Sequence, residues 1–193
     1  INIKQNKLFL FYGENQGYKN EIIDKKFKKK FLENNYIYDE NEVLNNKETF
    51  LNNILNQSFF ESEKLIIINR ATDKFKDLIE EIVEKEIDDL VLILNSNTLE
   101  KKSKIRSFFE KNQKTICVPF YEDNNQTLQG IANKFFRDNK ILISQQSINL
   151  ITERCRGDRQ NLKNEIEKVE NFIAGGKKIE INDILKLTNL AEN

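Results

Sequence analysis

The residues with the clearest potential for chemistry lie in the turn between Gly13 and Asn20, directly after the first apolar run. In nucleotide-binding α/β proteins a phosphate-binding loop stands at this point, where backbone amides and a helix N-terminus hold the anion. Here Gly17 stands one residue too close to Gly13, Tyr18 precedes Lys19, and no hydroxyl residue follows to hold Mg²⁺. We therefore expect an ordinary strand-to-helix turn.

The end of the third apolar run is an independent test of nucleotide chemistry. In ATPases of this type the corresponding strand ends in acidic residues that bind Mg²⁺ and polarise water. Here the run Ile66–Ile68 is followed by Asn69 and Arg70, and neither side chain can do that work. The sequence thus indicates a nucleotide-binding scaffold without nucleotide chemistry. We expect no catalytic residue, no cofactor and no metal, and the chain by itself is predicted not to be an enzyme.

The composition excludes several other functions. The chain has no histidine, which removes His-based proton transfer, Ser-His-Asp and Cys-His catalysis and most transition-metal sites. Its 31 basic and 31 acidic residues balance, so any nucleic-acid binding has to be local. The longest apolar runs are too short to span a membrane. Cys117 and Cys155 are predicted to be reduced core residues, and we expect a cytoplasmic protein.

The first part of the chain alternates between strand and helix patterns. Apolar, often β-branched runs predict strands at Lys7–Gly13, Tyr36–Asp39, Lys64–Asn69, Asp89–Asn95 and Lys114–Tyr121. Apolar stripes at helical spacing predict helices at Gly17–Leu32, Lys47–Asn56, Asp73–Glu86 and Lys101–Lys111. Buried strands separated by helices favour a mostly parallel, three-layer sheet, and Pro119 indicates that the fifth strand lies at an edge.

After Glu122 this alternation stops and the remaining chain is predicted to be helical. Three apolar stripes indicate three helices, followed by a short extended piece at Lys178–Ile181 and a last helix at Asn182–Leu190. We therefore expect two domains, residues 1–122 and a smaller helical domain of residues 123–193.

Two adjacent phenylalanines, Phe59 and Phe60, occupy an otherwise polar segment before the third predicted strand. One hypothesis is that both side chains close the edge of the sheet as core residues. The other is that they form a hydrophobic plug that inserts into a pocket of a partner, as interface hot spots do. The residues by themselves leave both hypotheses open.

Four segments of the chain form a recognisable series. They are Leu10–Glu14, Ser58–Phe60 with Glu63–Ile68, Leu90–Asn95 with Leu99–Lys104, and Gly157–Arg159 with Leu162–Lys168. In this order and spacing they resemble the delta subunit of bacterial DNA polymerase III, the clamp-loader component that binds and opens the sliding clamp. The resemblance extends over essentially the whole chain, and the last segment is its most specific part.

The resemblance implies an AAA+-like, P-loop-type three-layer parallel sheet in the order 5-1-4-3-2, with a degenerate nucleotide site, followed by a helical lid. It implies a function in DNA replication: binding and opening the clamp for loading onto primed DNA, without hydrolysing ATP. The clamp-binding residues would then be Ser58, Phe59 and Phe60, which enter a hydrophobic pocket on the clamp. The resemblance therefore favours the hypothesis that Phe59 and Phe60 insert into a partner's pocket over the hypothesis that they are core residues at the edge of the sheet.

The implied partners are the sliding clamp, or beta subunit, and the gamma/tau and delta prime subunits of the loader, with DNA contacted within the full complex. The family is classed as a subunit of DNA-directed DNA polymerase, a nucleotidyltransferase. Its C-terminal collar domain is absent from these residues, so we expect a monomeric piece that holds the clamp without joining the ring. The phosphate-sensing arginine of related ATPases falls near Arg159 or Gln160, without an assigned role.

Two other functions stay open. One is a degenerate P-loop ATPase or kinase that uses Lys19 in an unorthodox loop. The other is a structural DNA-binding module that uses the basic runs Lys25–Lys30 and Lys101–Lys104. The first run is, however, predicted to be a solvated helix face with Phe27 turned inward.

Overall fold

The computed structural model describes residues 7–32, 34–55, 63–87, 89–176 and 178–188. The chain divides into two compact units. The first comprises the residues up to Glu14 together with Lys19–Phe120, and the second comprises Asn15–Tyr18 together with the residues from Tyr121 onward. Each unit has a hydrophobic core of its own.

Parallel strands form the sheet of the first unit. Within the described ranges they are β1 (Leu8–Tyr12), β2 (Asn35–Asp39), β3 (Lys64–Asn69), β4 (Leu90–Asn95) and β5 (Thr115–Pro119). Their order is β2-β3-β4-β1-β5, which is the predicted order counted from the opposite edge, and every pair is parallel. β5 lies at an edge, as Pro119 predicted, because proline has no amide hydrogen to donate to a further strand. The predicted fold class is confirmed.

Helices connect these strands. They are α1 (Gln16–Ile22), α2 (Glu40–Asn45), α3 (Lys47–Leu55), α4 (Lys76–Glu84) and α5 (Lys104–Lys111). α1 continues as a π-helical turn over Ile23–Lys28. Where one helix was expected over Asp73–Glu86, a 3₁₀ turn at Asp73–Phe75 leads into α4.

The first helical segment is shorter than its predicted span of Gly17–Leu32 and stops at Lys28. Beyond that point the chain makes tight turns, in which the Lys30 N–H binds Phe27 O and the Phe31 N–H binds Lys28 O. These turns leave both phenylalanines buried. The apolar spacing therefore predicted the buried face correctly but not the end of the helix.

Capping side chains set the start of two further helices. α5 begins at Lys104 and not at the predicted Lys101, because the Ser103 hydroxyl accepts a backbone N–H of the first turn. α2 was not among the predicted elements. Asp39 and Glu42 form a capping box at its start, which compensates for a helix of only six residues.

Apolar side chains cover both faces of the sheet. On one face Leu10 packs in a cluster with Ile79 of α4. On the other face Phe9 and Phe11 contact Phe27 edge-on, with ring centroids 5.1 Å and 5.8 Å apart. Since burying one such side chain stabilises the fold by about 1.5–3 kcal/mol, this packing fixes the strands whose carboxyl ends carry the candidate site.

The second unit is helical throughout its described part. Its helices are α6 (Asn125–Asp138), α7 (Gln145–Arg154), α8 (Arg159–Ile173) and α9 (Ile181–Leu187). The predicted apolar stripes form its core, with Leu128, Ile151 and Val169 fully buried. None of the helices in the part of the chain that the structure describes has the length and apolar character needed to cross a bilayer.

The piece predicted to be extended over Lys178–Ile181 is non-helical up to Glu180, whose backbone is extended (φ −111°, ψ 168°), and α9 begins at Ile181, one residue before the predicted Asn182. A capping box made by Glu180 and Asp183 starts α9 at this point.

The two cysteines differ in their burial. Cys155 is fully buried in the core of the second unit, as predicted, whereas Cys117 is only half-buried against the core of the first unit. Burial raises the pKa of the Cys117 thiol to about 11 and that of the Cys155 thiol to about 12. Neither thiol is therefore a nucleophile near neutral pH.

Candidate functional site

Lys19, the residue that a phosphate-binding loop would direct at a nucleotide, points into the protein. Its side chain is fully buried, and its ammonium nitrogen Nζ lies 3.0 Å from Gly13 O and 2.6 Å from Ser96 O. Both carbonyl oxygens accept hydrogen bonds from the ammonium, which is thereby satisfied by the chain itself. Burial lowers the pKa of Lys19 to about 8.

Further hydrogen bonds join the carboxyl ends of β1, β3 and β4 around this ammonium. The Ser96 N–H donates to Phe11 O at 2.8 Å, and the Ser96 hydroxyl donates to Ala71 O at 2.7 Å. The Gly13 N–H donates to Asn97 O at 3.2 Å. The Gly13 amide, which a phosphate-binding loop would offer to an anion, is thus engaged within the first unit.

The residues at the end of β3 carry no carboxylate for a metal. The Asn95 side-chain amide donates to Asn69 Oδ1 at 2.9 Å, so β3 and β4 end in a neutral amide pair. Arg70 adopts a left-handed backbone, with φ of 59°, and its Nε donates to Asp39 Oδ2 at 2.6 Å. No group of three or more acidic or cysteine residues that could hold a metal ion occurs among the residues placed by the structure.

A pH dependence follows from the burial of Lys19. The folded-state pKa of about 8 lies below the ordinary value of 10.5. The buried charge therefore lowers the unfolding free energy, and this effect is complete below pH 8. The effect disappears as the pH rises toward 10.5, because the ammonium loses its proton. From about pH 7 to about pH 9.5, the unfolding free energy of the wild type should rise by about 2 kcal/mol relative to that of Lys19→Met. Urea unfolding at each pH, followed by circular dichroism, measures it. A constant difference between the two proteins would contradict the buried ammonium.

Arg159, which the sequence left without a role, is held by an ion pair in the second unit. Its Nε lies 2.6 Å from Asp123 Oδ2, its Nη2 lies 3.0 Å from Asp123 Oδ1, and its guanidinium lies 3.7 Å from the centre of the Tyr18 ring. The Asn15 amide adds hydrogen bonds to Asp123 Oδ2 at 2.8 Å and to Tyr121 O at 3.0 Å. Asp123 and Asn15 were not among the predicted site residues, since nothing local in the sequence connects them.

Gly17 permits a close approach of two backbone segments in the same unit. A Cβ atom at Gly17 would lie 2.3 Å from the backbone nitrogen of Gln160 and 2.9 Å from Cβ of Arg159. This glycine, which the sequence suggested as part of a degenerate phosphate loop, thus serves packing against the start of α8.

The predicted clamp-binding residues Ser58, Phe59 and Phe60 lie outside the described residues, so their role stays a prediction. The structure describes the two ends of the segment that contains them. α3 ends at Leu55, whose side chain is exposed, and the chain is described again from Glu63, directly before β3.

Glu63 is anchored by two lysines. Its carboxylate oxygens lie 2.7 Å from Lys30 Nζ and 3.3 Å from Lys7 Nζ. Burial alone would raise the pKa of Glu63, but the hydrogen bonds from Lys30 and Lys7 outweigh that effect and hold the pKa below its ordinary value. Glu63, at which the chain is described again, is therefore held to the first unit by two ion pairs.

The fold is that of AAA+ domains. The chain is similar to the RuvB Holliday junction branch migration motor of Thermotoga maritima (TM-score 0.60, 13% identity, 94% of this chain and 61% of that chain). It is also similar to domain III of the replication initiation protein DnaA of Thermotoga maritima (TM-score 0.56, 15% identity, 96% and 84%). A third similar structure is the DNA clamp loader delta protein of Bacillus subtilis (TM-score 0.54, 15% identity, 95% and 58%). At these identities the likeness shows the fold.

The family follows from the sequence match over the sheet. Residues 9–119 match the family model described as DNA polymerase III, delta subunit, and the chain belongs to that family. A curated relative, the probable DNA polymerase III subunit delta of Rickettsia prowazekii (strain Madrid E), is 22% identical over 184 residues. The match covers 94% of this chain and 55% of the relative, so the chain spans about half of that protein's length.

Proposed function

We propose that this chain is the clamp-binding part of a clamp-loader delta subunit, which binds and opens the sliding clamp for loading onto primed DNA without hydrolysing ATP. Membership of the DNA polymerase III delta family supports the clamp-loader role. The buried Lys19 ammonium, held by Gly13 O and Ser96 O, is the observation that most favours a role without ATP chemistry. The neutral pair of Asn69 and Asn95 supports the same conclusion, because it offers Mg²⁺ no carboxylate.

In this proposal the subunit opens the clamp through the free energy of binding it and not through ATP hydrolysis. Phe59 and Phe60 enter an apolar pocket on the clamp, and burying two such side chains supplies about 3–6 kcal/mol. A partner shifts an equilibrium only by its differential affinity for the two states. The subunit therefore opens the ring because it binds the edge of an open clamp interface more tightly than the closed one.

We also propose a separate role for each of the two parts of the chain. Residues 1–122 carry the clamp-binding element, with Ser58 beside the phenylalanines, and residues 123–193 form the helical lid. The partners are the beta clamp, the ATP-hydrolysing gamma/tau subunits, delta prime and DNA within the assembled loader, and the subunit acts in the cytoplasm. It is non-catalytic within an assembly classed as a DNA-directed DNA polymerase.

Clamp binding by Phe59→Ala/Phe60→Ala tests the proposal. We expect affinity for the clamp to fall by at least about 30-fold, which corresponds to about 2 kcal/mol, because both apolar contacts are lost. Surface plasmon resonance with immobilised clamp measures it, and circular dichroism checks that the fold is kept. Unchanged affinity in a folded variant would show that the site is elsewhere.

A matched control removes two exposed large side chains in other parts of the chain. Leu32 is 79% exposed and Tyr121 is 73% exposed, so Leu32→Ala/Tyr121→Ala should bind the clamp as the wild type does. Titration of the wild type with ATP and Mg²⁺ completes the experiment. Micromolar affinity for ATP would contradict the proposal and favour the degenerate ATPase or kinase that uses Lys19.

A further inference from the structure

A cleft with a volume of about 480 Å³ lies at α4 and α5 of the first unit. Lysine, polar and aromatic side chains line it: Lys76, Lys102, Lys104, Ser107, Phe108, Lys111 and Asn112. Its size falls within the range of about 300–1,000 Å³ that is typical of pockets for small organic groups. Four ammonium groups in one cleft of a chain with no net charge concentrate positive potential locally.

Two of these four lysines are available for an anionic ligand. Lys104 and Lys111 form no ion pair with any residue that the structure describes. The Asp73 carboxylate interacts with Lys104 at longer range, but its Oδ1 already accepts hydrogen bonds from the Ser103 hydroxyl at 2.6 Å and the Ile105 N–H at 3.0 Å. An anion that binds in the cleft would therefore face the ammonium groups of Lys104 and Lys111, which form no ion pair with a described residue.

The other two lysines have exposed partners. Lys76 Nζ lies 2.7 Å from Glu80, and Lys102 Nζ lies 2.9 Å from Glu100. Exposed pairs of this kind contribute about 0–1 kcal/mol, so a polyanion can displace these carboxylates at little cost.

The lining cations are lysines, although α5 also carries an arginine. Arg106 is engaged: its Nε donates to Glu110 at 2.8 Å, its Nη1 donates to Leu99 O at 3.0 Å, and its guanidinium lies over the Tyr12 ring. Lysine ammoniums are compact charges without the planar fork of arginine, so they contact phosphates without selecting one orientation. This chemistry suits a repeating phosphate backbone that is bound irrespective of its sequence.

The cleft also contains an aromatic ring, on which the bases of a nucleic acid can stack, whereas other polyanions have no such group. Phe108 is half-buried in the lining and contacts Phe109 edge-on, with ring centroids 5.9 Å apart. Aromatic rings beside a basic groove are the feature with which proteins bind single strands, because unpaired bases stack on them. A duplex keeps its bases stacked inside and cannot use such a ring.

We propose that this cleft binds the phosphate backbone of single-stranded nucleic acid, with a base against Phe108. Its lining residues do not include Ser58, Phe59 or Phe60, and the proposal does not depend on clamp binding. It differs from the sequence-based alternative that included Lys25–Lys30, because none of those lysines lines the cleft.

The test is fluorescence anisotropy of a labelled homopyrimidine oligonucleotide with the whole chain and no clamp. Lys104→Gln/Lys111→Gln should weaken binding by at least about tenfold at low salt. It should also reduce the slope of log affinity against log salt by about 1.4, since each single-strand phosphate contact contributes about 0.7. Phe108→Leu should weaken binding by at least about threefold and leave this slope unchanged, because it removes stacking and no charge.

The matched control removes the same charge from another surface. Lys26 and Lys29 are exposed and form no ion pair with the described residues, so Lys26→Gln/Lys29→Gln should change affinity by less than about twofold. Equal losses in both double variants would overturn the cleft as the site. Tighter binding of a duplex would overturn the single-strand assignment, and equally effective competition by polyglutamate would overturn the nucleic-acid assignment.

Discussion

Alanine at Asp123 is expected to lower the unfolding free energy by about 3–4 kcal/mol, because it leaves the Arg159 guanidinium without its carboxylate. The two side chains are only 9% and 17% exposed, so water replaces the lost hydrogen bonds poorly. The same substitution removes an acceptor from the Asn15 amide. Urea unfolding followed by circular dichroism measures the loss.

The neighbouring helix offers a matched control. Asp138 pairs with Arg137 at 3.7 Å, and these side chains are 54% and 77% exposed. Asp138→Ala should therefore change stability by less than about 0.5 kcal/mol. Adding Arg159→Met to Asp123→Ala should restore at least about 1 kcal/mol, since it removes a buried charge that has lost the Asp123 carboxylate. A double variant that is less stable than Asp123→Ala would show that the charge of Arg159 is not the cause of the stability loss in Asp123→Ala.

Alanine at Gly13 is expected to destabilise the protein by about 4 kcal/mol, one of the largest effects that a single methyl group can have. Gly13 has φ of 117°, which side-chain-bearing residues rarely adopt, and a Cβ atom there would lie 2.3 Å from Phe120 O. The Phe120 backbone cannot move away easily, because its N–H donates to Tyr12 O at 2.7 Å. The denaturation midpoint of the variant measures the effect.

The same substitution at Gly130 is the control. A Cβ atom at Gly130 would meet no atom within 4 Å, and the residue lies inside α6. Gly130→Ala should stabilise the protein by about 0.5–1 kcal/mol, because alanine is the better helix former. If both variants were equally tolerated, the strained turn after β1 would not be needed by the fold.

The sheet was predictable because its strands are continuous apolar runs, which a buried parallel sheet requires on both faces. β3 has the predicted bounds of Lys64–Asn69, and Pro119 gave the edge position of β5. Helix limits were less predictable, since an apolar stripe defines a face but not an end. The start of α5 depends on the Ser103 cap, a signal that the sequence contains and the stripe does not.

The candidate site was predictable only in part. The spacing around Lys19 and the residues at the end of β3 predicted a turn without nucleotide chemistry, which stays a prediction. They gave no sign that the ammonium turns inward to Ser96 O, 77 residues away. The pairing of Arg159 with Asp123 across 36 residues was equally invisible, because one sequence carries no information about such contacts. Ser58, Phe59 and Phe60 rest on the resemblance to the delta family and stay a prediction.

The inward Lys19 has a consequence for any attempt to engineer nucleotide binding into this chain. A variant given acidic residues at the end of β3, or the wider glycine spacing, would still have no lysine for a phosphate, because the ammonium is bound by Gly13 O and Ser96 O. Withdrawing it would return the charge to water but would leave both inward carbonyl groups without this donor. Changing the end of β3 or the glycine spacing alone would therefore not supply the lysine that a phosphate-binding loop uses.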